Sequence, residues 1–334
     1  MSTPRTLDLP ATVRPGVVES ARGRFAALEA LPAAGECHLG TALLVPGYTG
    51  SKEDFIPVLG ALAAAGRRVV AVDMRGQYQT PGPDDDASYD PCELGLDVAA
   101  LARATAAAHL LGHSFGGLVA REAVLHGSYT PASLTLMSCG PAALTGPRAH
   151  ELRLMLGLLD GAAPGELGGK VAEIWHHALE PQAVADGVPP PIVAFLKERM
   201  LANSPAGLMA MAAYLLAAPD KTSDLAGRNI RTFVVYGEDD NAWPPAAQED
   251  MALRLNARHV SIAGAAHSPA VEAPDVTARA LTSFWNAAEE RLPELSEPVP
   301  RPSLYRRGLP FRAVPQEVAP PAARFRARRE HLVV

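Results

Sequence analysis

A serine hydroxyl attacks carbonyl carbon effectively only when a base takes its proton and nearby donors stabilise the negative charge that develops. The segment Gly112-His113-Ser114-Phe115-Gly116-Gly117 supplies the first part of such a device. It follows a short apolar run and precedes a helical one, so Ser114 is expected at a sharp strand-to-helix turn with its hydroxyl presented above the sheet. Gly112 and Gly116 leave room for that turn. The helix that follows would point its positive amino end toward the reaction centre.

A base must then be found among ten histidines. His267 lies in Gly264-Ala265-Ala266-His267-Ser268-Pro269, a small-residue loop just after the last apolar run. In a parallel sheet that loop opens at the same carboxyl edge as the Ser114 turn. His113 adjoins the serine but is expected to point elsewhere. His176 and His177 fall on an expected helix, with no H-E-x-x-H pattern to suggest a metal. An acid is needed to fix the imidazole tautomer, and the turn Gly237-Glu238-Asp239-Asp240-Asn241 offers three carboxylates, again after an apolar run. The resulting chain order is serine, acid, histidine.

The fourth part is a pair of backbone N–H groups for the oxyanion. Phe115, directly after the nucleophile, is the first candidate. Tyr48, in Pro46-Gly47-Tyr48-Thr49-Gly50-Ser51, is the second.

These residues need a scaffold that brings them to one edge. Short apolar runs at 41–45, 68–72, 109–111, 134–137, 232–236 and 259–262 end at turn-forming residues, as strands buried on both faces do. Helical stretches at 54–65, 93–107, 117–125, 245–255 and 276–290 lie between or after them. Such alternation predicts a mostly parallel, twisted α/β sheet with helices on both faces. Residues 141–224 break the rhythm, with helical segments at 149–159, 170–179, 192–203 and 208–217 but no strand. The expected organisation is therefore a core of residues 1–140 and 225–292 with a helical cap at 141–224. Residues 293–334, rich in proline and arginine, are expected to be a disordered basic tail.

Composition narrows the partners. The chain of 334 residues has a formal charge of −6, but eight arginines and two glutamates from Arg301 onward make that tail +6 and leave the rest at −12. An acidic body argues against nucleic acid as a partner. Cys37, Cys92 and Cys139 show neither a disulfide framework nor metal spacing. The first residues have no apolar core of a signal peptide, and no apolar run is long enough to span a bilayer. A cytoplasmic protein acting on a small molecule is the expectation.

The set PGYTGSKEDF, VDMRGQ, GHSFGG, YGEDDNAWP and GAAHSPAVEAP resembles the α/β-hydrolase family, over about residues 43–285, with 141–224 corresponding only as a variable cap. Within that family the likeness is to capped esterases, lactonases, C–C hydrolases and cofactor-free perhydrolases. The resemblance implies a catalytic triad of Ser114, Asp240 and His267, selecting the second aspartate of the turn over Asp239. Where some relatives place an acid after the preceding strand, this chain has Ser138-Cys139-Gly140. It departs from the family at Pro46, where a histidine is usual, and at Tyr78, where a glycine is usual. Asp73 and Arg75 are then left a structural turn role, and Tyr78 would narrow the pocket mouth. A serine at 114 separates the chain from the dehalogenases and epoxide hydrolases. The implied activity is hydrolysis of an ester, lactone or thioester of a small, largely apolar substrate, without metal or organic cofactor. C–C hydrolysis and perhydrolysis on the same fold are the alternatives, followed by a non-catalytic binding protein.

Overall fold

The computed structural model describes residues 2–33 and 37–290, with the backbone of 311–312. Its strands are β1 (Val13–Ser20), β2 (Gly23–Ala30), β3 (Leu39–Val45), β4 (Arg67–Val72), β5 (Ala107–His113), β6 (Ser133–Met137), β7 (Thr232–Gly237), β8 (Arg258–Ile262) and β9 (Phe311–Arg312). They form one sheet in the order β8-β7-β6-β5-β3-β4-β2-β1-β9. Strands β3 to β8 run parallel, while β2 joins β4, and β1 joins β2 and β9, antiparallel. Except for β9, the expected tail lies outside the described residues.

The parallel strands match the six apolar runs; β3 to β7 are covered on both faces, while β8 at the sheet edge is only partly buried. Along β3, Leu43 and Val45 enter one apolar cluster while Ala42 and Leu44 enter the other. On the first side pack α2 (Pro91–Thr105), α3 (Phe115–His126) and part of α10 (Pro245–Arg254); on the second, α1 (Ile56–Ala64) and α12 (Pro274–Glu290). The sequence did not reveal the β1–β2 hairpin. Pro15 and Gly16 interrupt β1, and alanines dilute β2, so neither reads as an apolar run. Pro15 is tolerated because β1 lies near the sheet edge, with β9 reaching only Val17 and Val18.

From β3 the chain crosses to β4 on one side and then returns to β5 on the other. That reversal creates a crevice beyond the carboxyl ends of β3 and β5, where open α/β sheets bind ligands. Between β6 and β7 lie α4 (Gly146–Leu159), α5 (Pro164–Ile174), a π-helical turn (Trp175–Leu179), α6 (Glu180–Ala185), α7 (Pro190–Ala202), α8 (Pro205–Ala217) and α9 (Thr222–Ala226). A separate apolar cluster built on Trp175, Phe195 and Leu196 holds much of this insertion together. Among the described residues no single helix is long and apolar enough to cross a membrane. The helix α11 (Pro269–Glu272) is a single turn after the His267 loop.

Candidate active site

Ser114 sits between β5 and α3 with φ +53° and ψ −122°, a conformation that costs a non-glycine residue about 1–3 kcal/mol. The surroundings impose it. Ser114 N–H donates to the Met137 carbonyl of β6, and its own carbonyl accepts from Gly117 N–H, both at 2.8 Å. The flanking glycines have no space for a side chain. A Cβ on Gly112 would stand 2.2 Å from the Gly116 carbonyl oxygen, and one on Gly116 would stand 2.3 Å from that of Pro46.

His267 bridges the other two members. Its Nε2 lies 2.9 Å from Ser114 Oγ and its Nδ1 lies 2.9 Å from Asp240 Oδ1. Burial disfavours the Asp240 carboxylate. Hydrogen bonds from His267, the Ala242 N–H and Gln248 outweigh it and hold the pKa below the usual carboxylate range. An ionised Asp240 only accepts, so Nδ1 carries the imidazole proton and the Nε2 lone pair faces the serine hydroxyl. Of the three competing carboxylates, Asp240 is buried, while Glu238 and Asp239 are exposed.

Several residues that the sequence left unassigned hold this row in place. Gln248 of α10, fully buried, donates to Asp240 Oδ2 and to the Trp243 carbonyl, both at 2.9 Å. Glu272 of α11 accepts the N–H groups on either side of His267, from Ala266 at 2.5 Å and Ser268 at 3.3 Å. His113 does point away from the serine: its Nε2 is 2.7 Å from the His267 carbonyl oxygen, to which it donates. Burial pushes His113 down to about 4, with His267 adding to the effect, so the ring is neutral at pH 7. Glu272 and His113 act on backbone groups, and Gln248 reaches Asp240 from the helix that follows the turn, so none of the three stands out by residue type in the chain.

The two amides proposed for the oxyanion flank Ser114. Phe115 opens α3, where first-turn N–H groups lack intrahelical acceptors. The loop carrying Tyr48 adjoins the serine: a Cβ on Gly47 would be 3.1 Å from Ser114 Cβ. The Gly47 carbonyl fixes this loop by accepting from Gln77 Nε2 at 2.9 Å and from Gly50 N–H at 3.0 Å. The Tyr48 ring extends the other way, its hydroxyl donating to the Leu208 carbonyl of α8 at 3.1 Å.

Ser114 and His267 open into a cavity of about 470 Å³. Its walls are mostly apolar, with Leu152, Met155, Ile174, Leu179 and Leu215 from the insertion and Trp243 from the Asp240 loop. Trp243 stands 6.3 Å from the His267 ring and donates from Nε1 to the Ala142 carbonyl at 2.9 Å. The carboxylates on the walls are paired. Asp54 accepts from Arg199 at 2.8 Å and Glu151 accepts from Arg148 at 3.2 Å. Arg199 ties α7 to the turn after the Tyr48 loop and also donates to Ser51 Oγ and the Ser2 carbonyl.

Tyr78 does not line this cavity. It packs edge-on against Phe195 and donates to Glu198 Oε1 at 3.1 Å, so the expected narrowing of the mouth is not found. Asp73 accepts from the Lys52 ammonium and backbone N–H, each at 2.8 Å, and Arg75 pairs with Asp97; both are structural. Of the larger apolar side chains of the insertion, Met200 lines the cavity, whereas Trp175, Phe195, Met209, Met211 and Tyr214 pack elsewhere. His176 and His177 are exposed. The described cluster of Cys92, Glu122 and His126 could be read as metal ligands, but the Lys221 ammonium occupies Glu122 at 2.8 Å.

Comparison with known proteins agrees with this architecture. The model of the "Alpha/beta hydrolase family" matches residues 42–280. RutD of Variovorax paradoxus (strain S110), named for carbamate hydrolysis, is 39% identical over 138 residues, covering 40% of this chain and 48% of that protein. The chain thus aligns with about half the length of that relative. A thermophilic esterase from Thermogutta terrifontis superposes with a TM-score of 0.60 at 21% identity, covering 83% of this chain and 99% of the other. The enol-lactonase from Burkholderia xenovorans LB400 gives 0.61 at 18% identity, covering 81% and 99%. At these identities the superpositions speak to the fold alone.

Proposed function

The chain belongs to the alpha/beta hydrolase family, and on that premise we propose that it is a serine hydrolase that cleaves an ester-like bond through an acyl-enzyme. Ser114 Oγ attacks the acyl carbonyl while His267 Nε2 takes its proton. Asp240 holds the imidazole in orientation and balances the imidazolium that forms. The N–H groups of Phe115 and Tyr48 receive the oxyanion. His267 then returns the proton to the departing oxygen or sulfur, and the carbonyl reforms as the acyl-enzyme. Water repeats the sequence with His267 as base, releasing the acid and restoring Ser114.

The observation that carries this reading is the position of His267, 2.9 Å from both Ser114 Oγ and Asp240 Oδ1. Esters, lactones and thioesters all present the required carbonyl, and a carbamate, the bond in the relative's name, reacts by the same steps. The insertion serves as the cap over the bound substrate. Labelling with a fluorophosphonate tests the nucleophile directly: Ser114 is expected to be modified, and Ser114→Ala is expected to lose both labelling and turnover, by roughly 10⁶-fold. Full turnover in a folded Ser114→Ala protein would overturn the proposal.

A further inference from the structure

The exposed large apolar side chains among the described residues are mostly scattered. Val184, Leu201, Leu253 and Val276 stand away from the cavity, and isolated cases of that kind need no special explanation. Leu154 and Leu158 differ. They lie one turn apart on α4, with 58% and 59% of their surfaces exposed, and both also line the cavity that holds Ser114. Facing them is the π-helical turn, whose Ala178 and Leu179 line the same cavity. Such turns break the α-helical hydrogen-bond pattern and are frequent at functional sites. One continuous cavity therefore begins at the nucleophile and ends at a mouth with apolar groups on both sides.

Charge sharpens the choice of occupant. Glu151 at this rim is paired with Arg148, and Asp54 deeper in the wall is paired with buried Arg199. Among the described residues that line the cavity, Asp54, Arg148 and Glu151 are each held in an ion pair, and beside the mouth the Lys170 ammonium is turned onto the Leu158 carbonyl at 3.4 Å. An ionic or strongly polar distal group would lose water there without compensation, whereas a hydrocarbon chain would cover two half-exposed leucines.

We propose that the mouth between α4 and the π-helical turn is a subsite for the distal end of a hydrocarbon chain, and that the substrate is an ester or thioester of an acyl chain longer than the cavity. The proposal rests on the serine-hydrolase reading and extends it to a substrate class. The carbonyl sits at Ser114, the proximal methylenes fill the cavity against Leu152 and Met155, and the end of the chain lies over Leu154 and Leu158.

The test is a series of p-nitrophenyl esters, from acetate through butyrate and octanoate to decanoate, assayed with the full chain below their critical micelle concentrations. The value of kcat/KM is expected to rise with chain length. In the double variant Leu154→Gln and Leu158→Gln it should fall about tenfold for octanoate and decanoate, the scale of losing contact with part of two leucines, and stay unchanged for acetate and butyrate. Both positions are exposed, so folding is not at stake. Ala178→Trp, on the facing side, should produce the same length-selective loss. Equal rates for all chain lengths, or an equal loss on every ester, would overturn the subsite while Ser114-dependent turnover of the short esters left the hydrolase reading standing. A loss confined to concentrations above the micelle threshold would also overturn it, pointing to contact with an aggregated lipid surface. No turnover of any ester, with Ser114 unlabelled, would remove both.

Discussion

At Gly112 an added Cβ would stand 2.2 Å from a carbonyl oxygen of the neighbouring turn, whereas at Gly157, Gly165, Gly168 and Gly169 of the insertion it would meet nothing within 4 Å. Gly237, just before the Asp240 turn, is as confined as Gly112, with the Ala266 carbonyl oxygen at 1.9 Å from the added atom. Around the candidate triad, backbone packs directly on backbone. Any relaxation there must move Ser114, Asp240 or His267, and misplacement by an ångström can cost about a hundredfold in rate. The insertion is tied down unevenly. Arg199 fixes α7 and Met211 buries α8, while α4 and α5 carry glycines in open space and α4 also holds Leu154 and Leu158 in water. On the proposed function the division separates tasks: the candidate reacting groups are set on the ends of close-packed strands, and the proposed substrate contacts are set on helices whose faces can change without disturbing them.

The sharpest way to break this contrast is Gly112→Ala. Because the clash is with the backbone of Gly116 and Gly117, the expected loss exceeds about 4 kcal/mol, read as failure to give a cooperative thermal transition and loss of fluorophosphonate labelling. Near-native melting of that variant would mean that the turn can open, and the argument for a rigid core would fail.

A smaller effect follows from the buried ring beside Ser114. The folded-state pKa of His113 is depressed to about 4 from an ordinary 6.5, so between those values the unfolded chain binds the proton first. The stability contributed by neutral His113 is thus fully present above pH 6.5 and is lost as pH falls toward 4. His113→Gln should flatten the decline in Tm across that window, measured by calorimetry at closely spaced pH values. An unchanged slope would place the responsible group elsewhere.

The smallest expected change comes from the insertion. Gly168→Ala and Gly169→Ala, at exposed positions of α5 with no close neighbours, should each stabilise the helix by about 0.5–1 kcal/mol. Denaturant melts should show that gain with unchanged kcat on acetate and butyrate esters. A loss of stability at either position would show that the insertion is as closely fitted as the core.

The fold was legible wherever a strand is covered on both faces, because Leu43, Leu110 and Val234 then form part of short apolar runs ending in turns. The β1–β2 hairpin was not legible, since proline, glycine and alanine remove the run that would mark it. Ser114, the acidic turn and His267 were legible for a related reason: each sits just beyond a strand, where local turn chemistry and chain order carry the signal.

What the sequence determined by itself is therefore the parallel α/β core, with Ser114, His267 and an acidic turn as candidates at its carboxyl edge, because main-chain geometry ties those positions to strand ends. Only the tertiary structure decided which face of each insertion helix meets the cavity, so that Met155 and Leu179 line it while Trp175 and Tyr214 do not. It also decided the supports of the site. His113 meets the His267 carbonyl across 154 positions of chain, and Gln77 meets that of Gly47 across 30. Contacts of this kind depend on how separate elements pack in three dimensions, and residue spacing along the chain carries no trace of them.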